Sequence, residues 1–271
     1  MSMAYRGRLA PTPTGRLHRG HGATFRAAWA RARAAGGTLV YRDEDLDQAR
    51  CQPAFAAAAR QDLRTFGLDW DEGPDVGGPA GPYQQSQRLP WYLAVFRQLA
   101  ATGAIYPSPH SRKDVTAALG APQAGDGGEP VFPMQLRPPE GTGQGAESPG
   151  EMNWRFRVPE GEAIAFRDGR VGRQTYLAGE DFGDFLVWRR DGFPSYELAV
   201  VADDHAMRIT EVVRGEDLLL STARQLLLFQ ALGWASPQWW HAPLIRDAQG
   251  RRLAKRAGDA DLLAPQGASP R

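Results

Sequence analysis

The first hundred residues alternate between short apolar runs and longer amphipathic runs, a pattern that predicts strands and helices in turn. Residues 5–10 are predicted to form a short strand, because prolines interrupt the chain directly after it. Residues 20–35 are rich in Ala and Arg and contain no proline, which predicts a helix that the following Gly-Gly pair ends. Residues 38–41 are apolar and partly β-branched, as expected of a buried strand.

Two more helices complete the pattern of this half of the chain. One is predicted at residues 53–66, where a proline begins the helix and a glycine follows its end, and the other at residues 89–101. Strand, helix, strand and helix in this order favour a parallel sheet with right-handed crossovers.

The pattern breaks down between residues 107 and 150. Nearly half of residues 120–150 are Gly or Pro, which cannot sustain regular structure. Because loops longer than about 15 residues are uncommon inside a compact domain, we expect a surface excursion within an inserted subdomain.

The periodic pattern returns in the last third of the chain. Strands are predicted at residues 153–158, 163–167 and 185–188, and the α/β alternation resumes with residues 197–201, a strand at 209–213 and a helix at 218–232. The pattern therefore predicts a nucleotide-binding α/β fold that is split by an insertion.

Composition narrows the class of protein. The chain has 32 basic and 31 acidic residues, which excludes an evenly basic surface but not a local basic face. Its apolar runs are all much shorter than 18 residues and its first residues lack the apolar core of a signal peptide, so we expect a cytoplasmic protein without a membrane span. Cys51 is the single cysteine, which excludes an internal disulfide and a multi-cysteine zinc site.

Charged residues are unevenly distributed along the chain. Residues 1–42 hold eight Arg and no acid, whereas residues 43–47 hold four carboxylates. A second basic cluster lies at residues 251–256. Lysine occurs only at Lys113 and Lys255, so a lysine in this Arg-biased chain is slightly informative.

Residues 8–21 carry the most specific candidate chemistry. Two prolines end the predicted strand, and His18, Gly20 and His21 then open a helix. The glycine allows a close approach to the backbone, and the helix N-terminus offers free N–H groups that attract phosphate. A proline turn with two surface histidines would explain the His-x-Gly-His motif alone, but the preceding Ala-Pro-Thr-Pro-Thr-Gly segment weighs against that alternative.

With this segment, the chain resembles the glutamyl branch of the class I aminoacyl-tRNA synthetases. That branch opens with a similar Arg-x-Ala-Pro-Ser-Pro-Thr-Gly-x-Leu-His-x-Gly segment, in which this chain has Thr12 for Ser. Residues 42–47 are similar to the family's Arg-Ile-Glu-Asp-x-Asp, and residues 196–205 and 213–219 are close to its consensus. Residues 252–256 resemble the mobile KMSKS-type loop, with Arg for its first Lys and Ala for its Ser.

The resemblance implies a fold and a reaction. The fold is a Rossmann-type doubly wound parallel sheet formed by residues 1–104 and 191–271, with an α+β connective subdomain inserted at residues 105–190. The reaction is attack of the α-carboxylate of L-glutamate on the α-phosphate of ATP, which is accompanied by Mg²⁺. It needs no protein nucleophile, only alignment and stabilisation of charge.

Site residues follow from the resemblance. Arg8 and Arg214 would grip the glutamate side chain, because a guanidinium matches a carboxylate; a structural ion pair is the alternative for each. Glu44 would receive the ammonium group and Tyr196 would hydrogen-bond the substrate, while Asp43 and Asp47 are expected in a solvated acidic loop. The residues expected to line the amino-acid pocket with backbone groups are Leu9, Ala10, Pro11 and Thr12.

ATP would contact residues from two segments, one near the start of the sequence and one near its end. His18 and His21 suit the α- and β-phosphates and Lys255 suits the developing pyrophosphate charge, which makes these three the predicted catalytic residues. Gly20 and Arg252 complete the predicted ATP-binding set.

The length of the chain indicates the acceptor in this interpretation, because only fifteen residues follow Arg256. So short a tail predicts no anticodon-binding domain. It favours the subgroup of the branch that attaches glutamate to queuosine in the anticodon of tRNA(Asp), acting as a monomer. A truncated glutamyl-tRNA synthetase that charges a 3′ end, or an inactive nucleotide- or tRNA-binding module, stays open.

Many relatives carry a small zinc site after a Tyr-Pro dipeptide. At the matching positions this chain has Ser108, Phe132 and Leu136, which cannot replace thiolate or phenol ligands, and His110 alone does not make a site. We therefore predict no structural zinc.

Overall fold

The computed structural model describes residues 4–118 and 131–245. The predicted ATP ligands Arg252 and Lys255 lie outside these residues, as does part of the Gly/Pro-rich stretch.

Helices and strands alternate along most of the described chain. The helices are α1 (Arg19–Ala34), α2 (Pro53–Thr65), α3 (Leu89–Thr102), α4 (Arg112–Ala118), α5 (Tyr196–Ala206) and α6 (Leu219–Ala231). The strands are β1 (Arg6–Leu9), β2 (Thr38–Tyr41), β3 (Ile105–Ser108), β4 (Asn153–Phe156), β5 (Ala163–Asp168), β6 (Gly172–Leu177), β7 (Phe185–Trp188), β8 (Glu211–Gly215) and β9 (Gln238–Ala242). Within the described residues, the longest helix is too short and too polar to cross a bilayer.

Parallel strands form the centre of the molecule. Strand β1 pairs with β2, and β8 pairs with β9, both in parallel. Strands β1 and β8 lie side by side, because the Thr210 N–H donates to the Arg6 carbonyl at 2.9 Å and the Arg8 guanidinium donates to the Val213 carbonyl at 2.7 Å. Since both contacts advance together along the two strands, β1 and β8 run in the same direction, and the carboxyl ends of these strands meet at one edge.

Alternate residues of the central strands enter two different cores. Leu39 and Val213 pack with α1 and α2, whereas Val40 and Val212 pack with α3, α5 and α6. Successive side chains of a strand point to opposite faces, so the helices cover both faces of the sheet. This confirms the doubly wound α/β fold expected from the sequence.

Residues between 105 and 188 add antiparallel structure. Strands β3, β4 and β7 form a three-stranded antiparallel sheet. Its aromatic residues pack against α3, where the Phe96 ring lies edge-on to Trp154 at 4.8 Å and to Trp188 at 5.6 Å. Strands β5 and β6 form an antiparallel hairpin that joins the edge of β9 through the pair Asp168–Trp239. The domain boundaries at 105 and 190 remain a prediction.

Several elements were not predicted from the sequence. Strand β3 and helix α4 form inside or next to the stretch expected to be irregular, and residues 197–201, whose element type the sequence left open, lie within α5, whose N-cap Ser195 accepts a hydrogen bond from the Leu198 N–H. Strands β6 and β9 are not evident in the hydrophobic pattern. Strand β6 is an edge strand of mixed polarity and β9 is only five residues long, so each depends on its partner strands rather than on local sequence.

Candidate active site

A cavity of about 360 Å³ opens where β1 and β8 end and α1 begins. Ten of the sequence-predicted residues line it: Arg8, Ala10, Pro11, Thr12, His18, Gly20, His21, Glu44, Tyr196 and Arg214. Further walls, which the sequence did not indicate, come from Leu17, Thr24, Phe25, Val213, Gly215, Asp217, Leu218, Pro243, Leu244 and Ile245. The topology therefore gathers segments from both ends of the described chain, from Arg8 to Ile245.

Leu9 does not line this cavity, which corrects the expectation. Its side chain is fully buried in the core beside α1, and its carbonyl accepts the Arg42 N–H at 2.8 Å. Leu9 is thus a core residue of the sheet that supports the site from behind.

The start of α1 is built by its two histidines. His18 is the N-cap, with Nδ1 accepting the Gly20 N–H at 3.1 Å, and the Nδ1 of His21 accepts the His18 N–H at 3.5 Å. The rings stack with their centroids 3.7 Å apart. Because both Nδ1 atoms accept hydrogen bonds, a neutral ring carries its proton on Nε2, where it is a donor suited to a phosphate oxygen.

Gly20 makes room for one of these rings. A Cβ atom at this position would lie 3.0 Å from the His18 Cε1 atom. The group that approaches the Gly20 backbone closely is therefore the capping imidazole itself.

Arg8 reaches the cavity from the end of β1. Beyond its bond to the Val213 carbonyl, its Nε lies 3.8 Å from the Asp204 Oδ1, and Nε has no hydrogen-bond partner among the described residues. Burial lowers the pKa of Arg8, and Asp204 opposes that effect. Several N–H groups of Arg8 thus remain available to a ligand.

Glu44 belongs to a buried network of charges centred on Arg42. The Arg42 guanidinium lies 2.9 Å from Glu44, 2.8 Å from Asp204 and 3.7 Å from Asp203. Burial raises the pKa of Glu44 and Arg42 opposes this rise; burial alone would lower the pKa of Arg42, but the three carboxylates raise it. Arg42 therefore holds Glu44 in place at the cavity wall.

The neighbours of Glu44 behave differently from one another. Asp43 is fully buried and accepts a hydrogen bond from Arg60 at 2.6 Å, so the expected solvated loop is wrong for this residue. Asp47 pairs with the exposed Arg50 at the surface, in line with that expectation.

Arg214 is buried beside the same cavity, but its partners are all neutral. Its Nε donates to His241 at 3.2 Å and its Nη1 to Gln225 at 3.0 Å. Its Nη2 donates to the Thr222 hydroxyl at 2.7 Å and to the Leu218 carbonyl at 3.3 Å. Within the described part of the chain no carboxylate lies within ion-pair distance of Arg214, so its charge lacks a protein counter-ion.

Tyr196 stands at the first turn of α5 and presents its ring to the cavity, with 40% of the residue exposed. Desolvation raises the pKa of Tyr196 to about 12, with Arg214 opposing the rise. Its hydroxyl therefore stays protonated at neutral pH and can donate a hydrogen bond.

Sequence reasoning missed the residues that hold Arg214. They come from β9, α6 and the residue before α6, and the signal that could have indicated them is His241, a lone imidazole in an apolar strand. Thr222 and Gln225 lie three residues apart on α6, which places them on one face of that helix.

The positions predicted to have lost a zinc site hold mainly apolar side chains. Phe132 is buried in a cluster with Tyr106, and the Arg155 guanidinium lies 4.1 Å from the centre of its ring. Leu136 packs against the same cluster, and Ser108 is buried. Among residues 4–118 and 131–245, no three His, Cys, Asp or Glu side chains are grouped to hold a metal ion. The absence of zinc remains a prediction.

Comparison with known proteins agrees with this geometry. Residues 4–263 match the model of the family described as tRNA synthetases class I (E and Q), catalytic domain. The chain belongs to this family.

Individual members of the family are similar to this chain over most of its length. The chain is 46% identical to the glutamyl-Q tRNA(Asp) synthetases of Nitratidesulfovibrio vulgaris and Symbiobacterium thermophilum. The matches cover 96% and 97% of this chain and 80% and 82% of those proteins. The solved structure of the glutamate-tRNA synthetase from Elizabethkingia anophelis is similar with a TM-score of 0.81 at 30% identity, over 95% of this chain and 54% of that one.

Proposed function

We propose that this chain activates L-glutamate with ATP as glutamyl-adenylate and transfers the glutamyl group to queuosine in the anticodon of tRNA(Asp). The observation that carries the glutamate specificity is the buried guanidinium of Arg214, which has neutral protein partners and faces a cavity. A buried charge is costly unless it is paired. A substrate carboxylate supplies the missing counter-charge.

The amino acid is held by charges of both signs. The γ-carboxylate of glutamate binds Arg8 and Arg214, the ammonium group binds Glu44, and the Tyr196 hydroxyl donates to the substrate. Of the five N–H groups of a guanidinium, Arg214 uses four internally, which leaves one on Nη1. Arg8 has more unpaired donors, so Arg8 provides the larger share of the hydrogen bonds and Arg214 the uncompensated charge.

The reaction forms one bond and breaks one bond at the α-phosphorus of ATP. An α-carboxylate oxygen attacks this atom and pyrophosphate leaves, so the protein must align the reactants and stabilise negative charge. His18, His21 and the N-terminus of α1 suit the phosphates. Mg²⁺ enters with ATP and is held by phosphate oxygens and water, and Lys255 and Arg252 are proposed to approach the phosphates from the C-terminal cluster.

The acceptor follows from the relatives. The two glutamyl-Q tRNA(Asp) synthetases are 46% identical to this chain, whereas the glutamate-tRNA synthetase of known structure is 30% identical. We infer on the same basis that the enzyme works in the cytoplasm, and we expect it to be a monomer. A truncated glutamyl-tRNA synthetase is the second candidate.

The site of attachment on the tRNA distinguishes the two candidates. Labelled glutamate is incubated with ATP, the enzyme and queuosine-containing tRNA(Asp), and the tRNA is then cut into anticodon and acceptor fragments. We expect the label in the anticodon fragment and none after incubation with tRNA(Asp) that lacks queuosine. Label that appears only on the terminal adenosine, as an alkali-labile ester, would instead establish a glutamyl-tRNA synthetase.

A further inference from the structure

Two buried carboxylates approach Arg214 without touching it. Asp168 contacts the Nδ1 of His241 at 2.7 Å, and the Nε2 of His241 faces Arg214 at 3.2 Å. Glu197 accepts from the Nε2 of Gln225 at 2.8 Å, and the Oε1 of Gln225 faces Arg214 at 3.0 Å. In both cases one neutral side chain stands between the carboxylate and the guanidinium.

Each outer carboxylate determines how its neutral neighbour faces Arg214. A carboxylate only accepts hydrogen bonds, so Asp168 requires the proton of His241 on Nδ1 and leaves the Nε2 lone pair for Arg214. Glu197 likewise requires the NH₂ group of Gln225 and turns its oxygen towards Arg214. Burial and, after it, the charge of Arg214 lower the pKa of His241 to about 4 against the opposing effect of Asp168, which keeps the imidazole neutral near pH 7.

The outer carboxylates are themselves fixed. Asp168 Oδ1 accepts the backbone N–H groups of Arg170 and Val171, each at 2.9 Å. Glu197 accepts the Ser221 hydroxyl at 2.7 Å. In both pairs the outer carboxylate is therefore fixed by hydrogen bonds, and the neutral side chain contacts the same guanidinium, that of Arg214.

We propose that the Asp168–His241 and Glu197–Gln225 pairs are positioning residues that orient Arg214 while leaving its charge for the γ-carboxylate of the substrate. This proposal rests on the proposed glutamate activation. Arg42, which contacts three carboxylates directly, shows the contrasting arrangement in the same protein: it is positioned and also neutralised. A carboxylate in place of either neutral spacer would hold Arg214 as well but would compete with glutamate for it.

The most direct test exchanges the two members of one pair. The double variant Glu197→Gln/Gln225→Glu keeps composition, volume and net charge but moves the carboxylate from the outer position to the contact with Arg214. We expect the KM for glutamate in pyrophosphate–ATP exchange to rise roughly 10- to 100-fold, the range for a lost hydrogen bond to a charged group. The KM for ATP should change less than about twofold, and the preference for glutamate over glutamine should fall.

A second variant tests the other pair through its protons. In Asp168→Asn the amide oxygen must face the two backbone N–H groups, so its NH₂ group faces His241 and moves the imidazole proton to Nε2. The Nε2 atom then donates towards the Thr222 hydroxyl, 3.1 Å away, and no longer accepts from the Arg214 Nε–H, so the KM for glutamate should rise similarly. Asp181→Asn is the matched control, because Asp181 also accepts a backbone N–H, that of Leu177 at 2.6 Å in the turn after β6, and contacts neither the Asp168–His241 nor the Glu197–Gln225 pair.

The outcomes separate this proposal from the proposed function. If the wild-type chain catalyses no glutamate-dependent exchange, the proposed function fails, and the role given to both pairs fails with it. If the wild type is active and both folded variants keep the wild-type KM for glutamate, only the positioning proposal is overturned. Thermal unfolding of each variant establishes that it is folded, and a rise in the KM for glutamate alone, absent in Asp181→Asn, supports the proposal.

Discussion

At the scale of single residues, the site depends on which charges are compensated and which are not. Arg42 and Arg88 have carboxylate partners within 3 Å, whereas Arg214 has an imidazole, an amide, a hydroxyl and a carbonyl. Chemically identical side chains therefore differ in their surroundings: the first two are paired with carboxylates within the protein, and we propose that the third binds a ligand of opposite charge.

Substitution of Arg214 tests this distinction. Breaking a buried ion pair costs roughly 3–5 kcal/mol, so Arg214→Gln should weaken glutamate activation by about 10²- to 10³-fold with nearly unchanged ATP affinity. The preference for glutamate over glutamine should narrow as well. Steady-state exchange kinetics with both amino acids measure this, and an intact glutamate preference would make Arg214 a scaffold residue.

In the proposed reaction His21 contacts the phosphates of ATP, so its loss should affect the rate rather than the choice of amino acid. Removing one donor to a developing charge typically costs about 10²- to 10³-fold in rate. We expect His21→Ala to lower kcat by that order and to leave the ratio of glutamate to glutamine activation unchanged. His205→Ala is the control, since this exposed imidazole stacks on Trp234. A changed amino-acid preference in His21→Ala would contradict the assignment.

His241 makes stability depend on pH. Its pKa is about 4 in the folded protein and about 6.5 in an unfolded chain, so between these values the unfolded chain binds a proton that the folded protein does not. Stability is therefore lost as pH falls from 7 to 5, by about 2 kcal/mol from this residue. Urea unfolding at both pH values should show a smaller loss for His241→Gln than for the wild type; equal losses would contradict the neutral imidazole.

At the scale of elements, strand ends and one helix N-terminus place the chemistry. The carboxyl ends of β1 and β8 bring Arg8 and Arg214 to one cavity, and α1 directs its N-terminus at the same space. Sequence could predict this much, because parallel strands end at a common edge and each motif follows a strand. It could not predict that β5 and β9 brace Arg214, since Asp168 and His241 are 73 residues apart and meet only through the sheet.

The antiparallel region bears on the zinc prediction. Asp184 accepts hydrogen bonds from Tyr106 at 2.6 Å and from Arg137 at 2.6 Å, which ties β3, the segment after α4 and β7 together without a metal. We expect a chelator to leave the thermal unfolding midpoint unchanged and metal analysis to find no stoichiometric zinc. One tightly bound zinc per chain would overturn the alignment of residues 107–137.

At the scale of the whole molecule, the fold joins an interior of paired charges to a cavity where Arg214 has no carboxylate partner among the described residues. The interior pairs Arg42 and Arg88 with Glu44, Asp203 and Asp204. The motifs at residues 8–21 and 42–47 could be recognised from sequence because each is continuous. Two details could not be predicted from the motifs. Asp43 is buried and accepts a hydrogen bond from Arg60 instead of lying in a solvated loop, and the Leu9 side chain packs in the core. Packing in the folded protein determines both.

The central claim is that this cavity activates glutamate with ATP, and exchange of labelled pyrophosphate into ATP tests it most directly. The reaction is run with purified, folded protein and no tRNA. We predict exchange that requires glutamate, is not supported by glutamine at equal concentration, and is lost in Arg214→Gln. Absence of glutamate-dependent exchange, or exchange that proceeds equally well with glutamine, would contradict the claim.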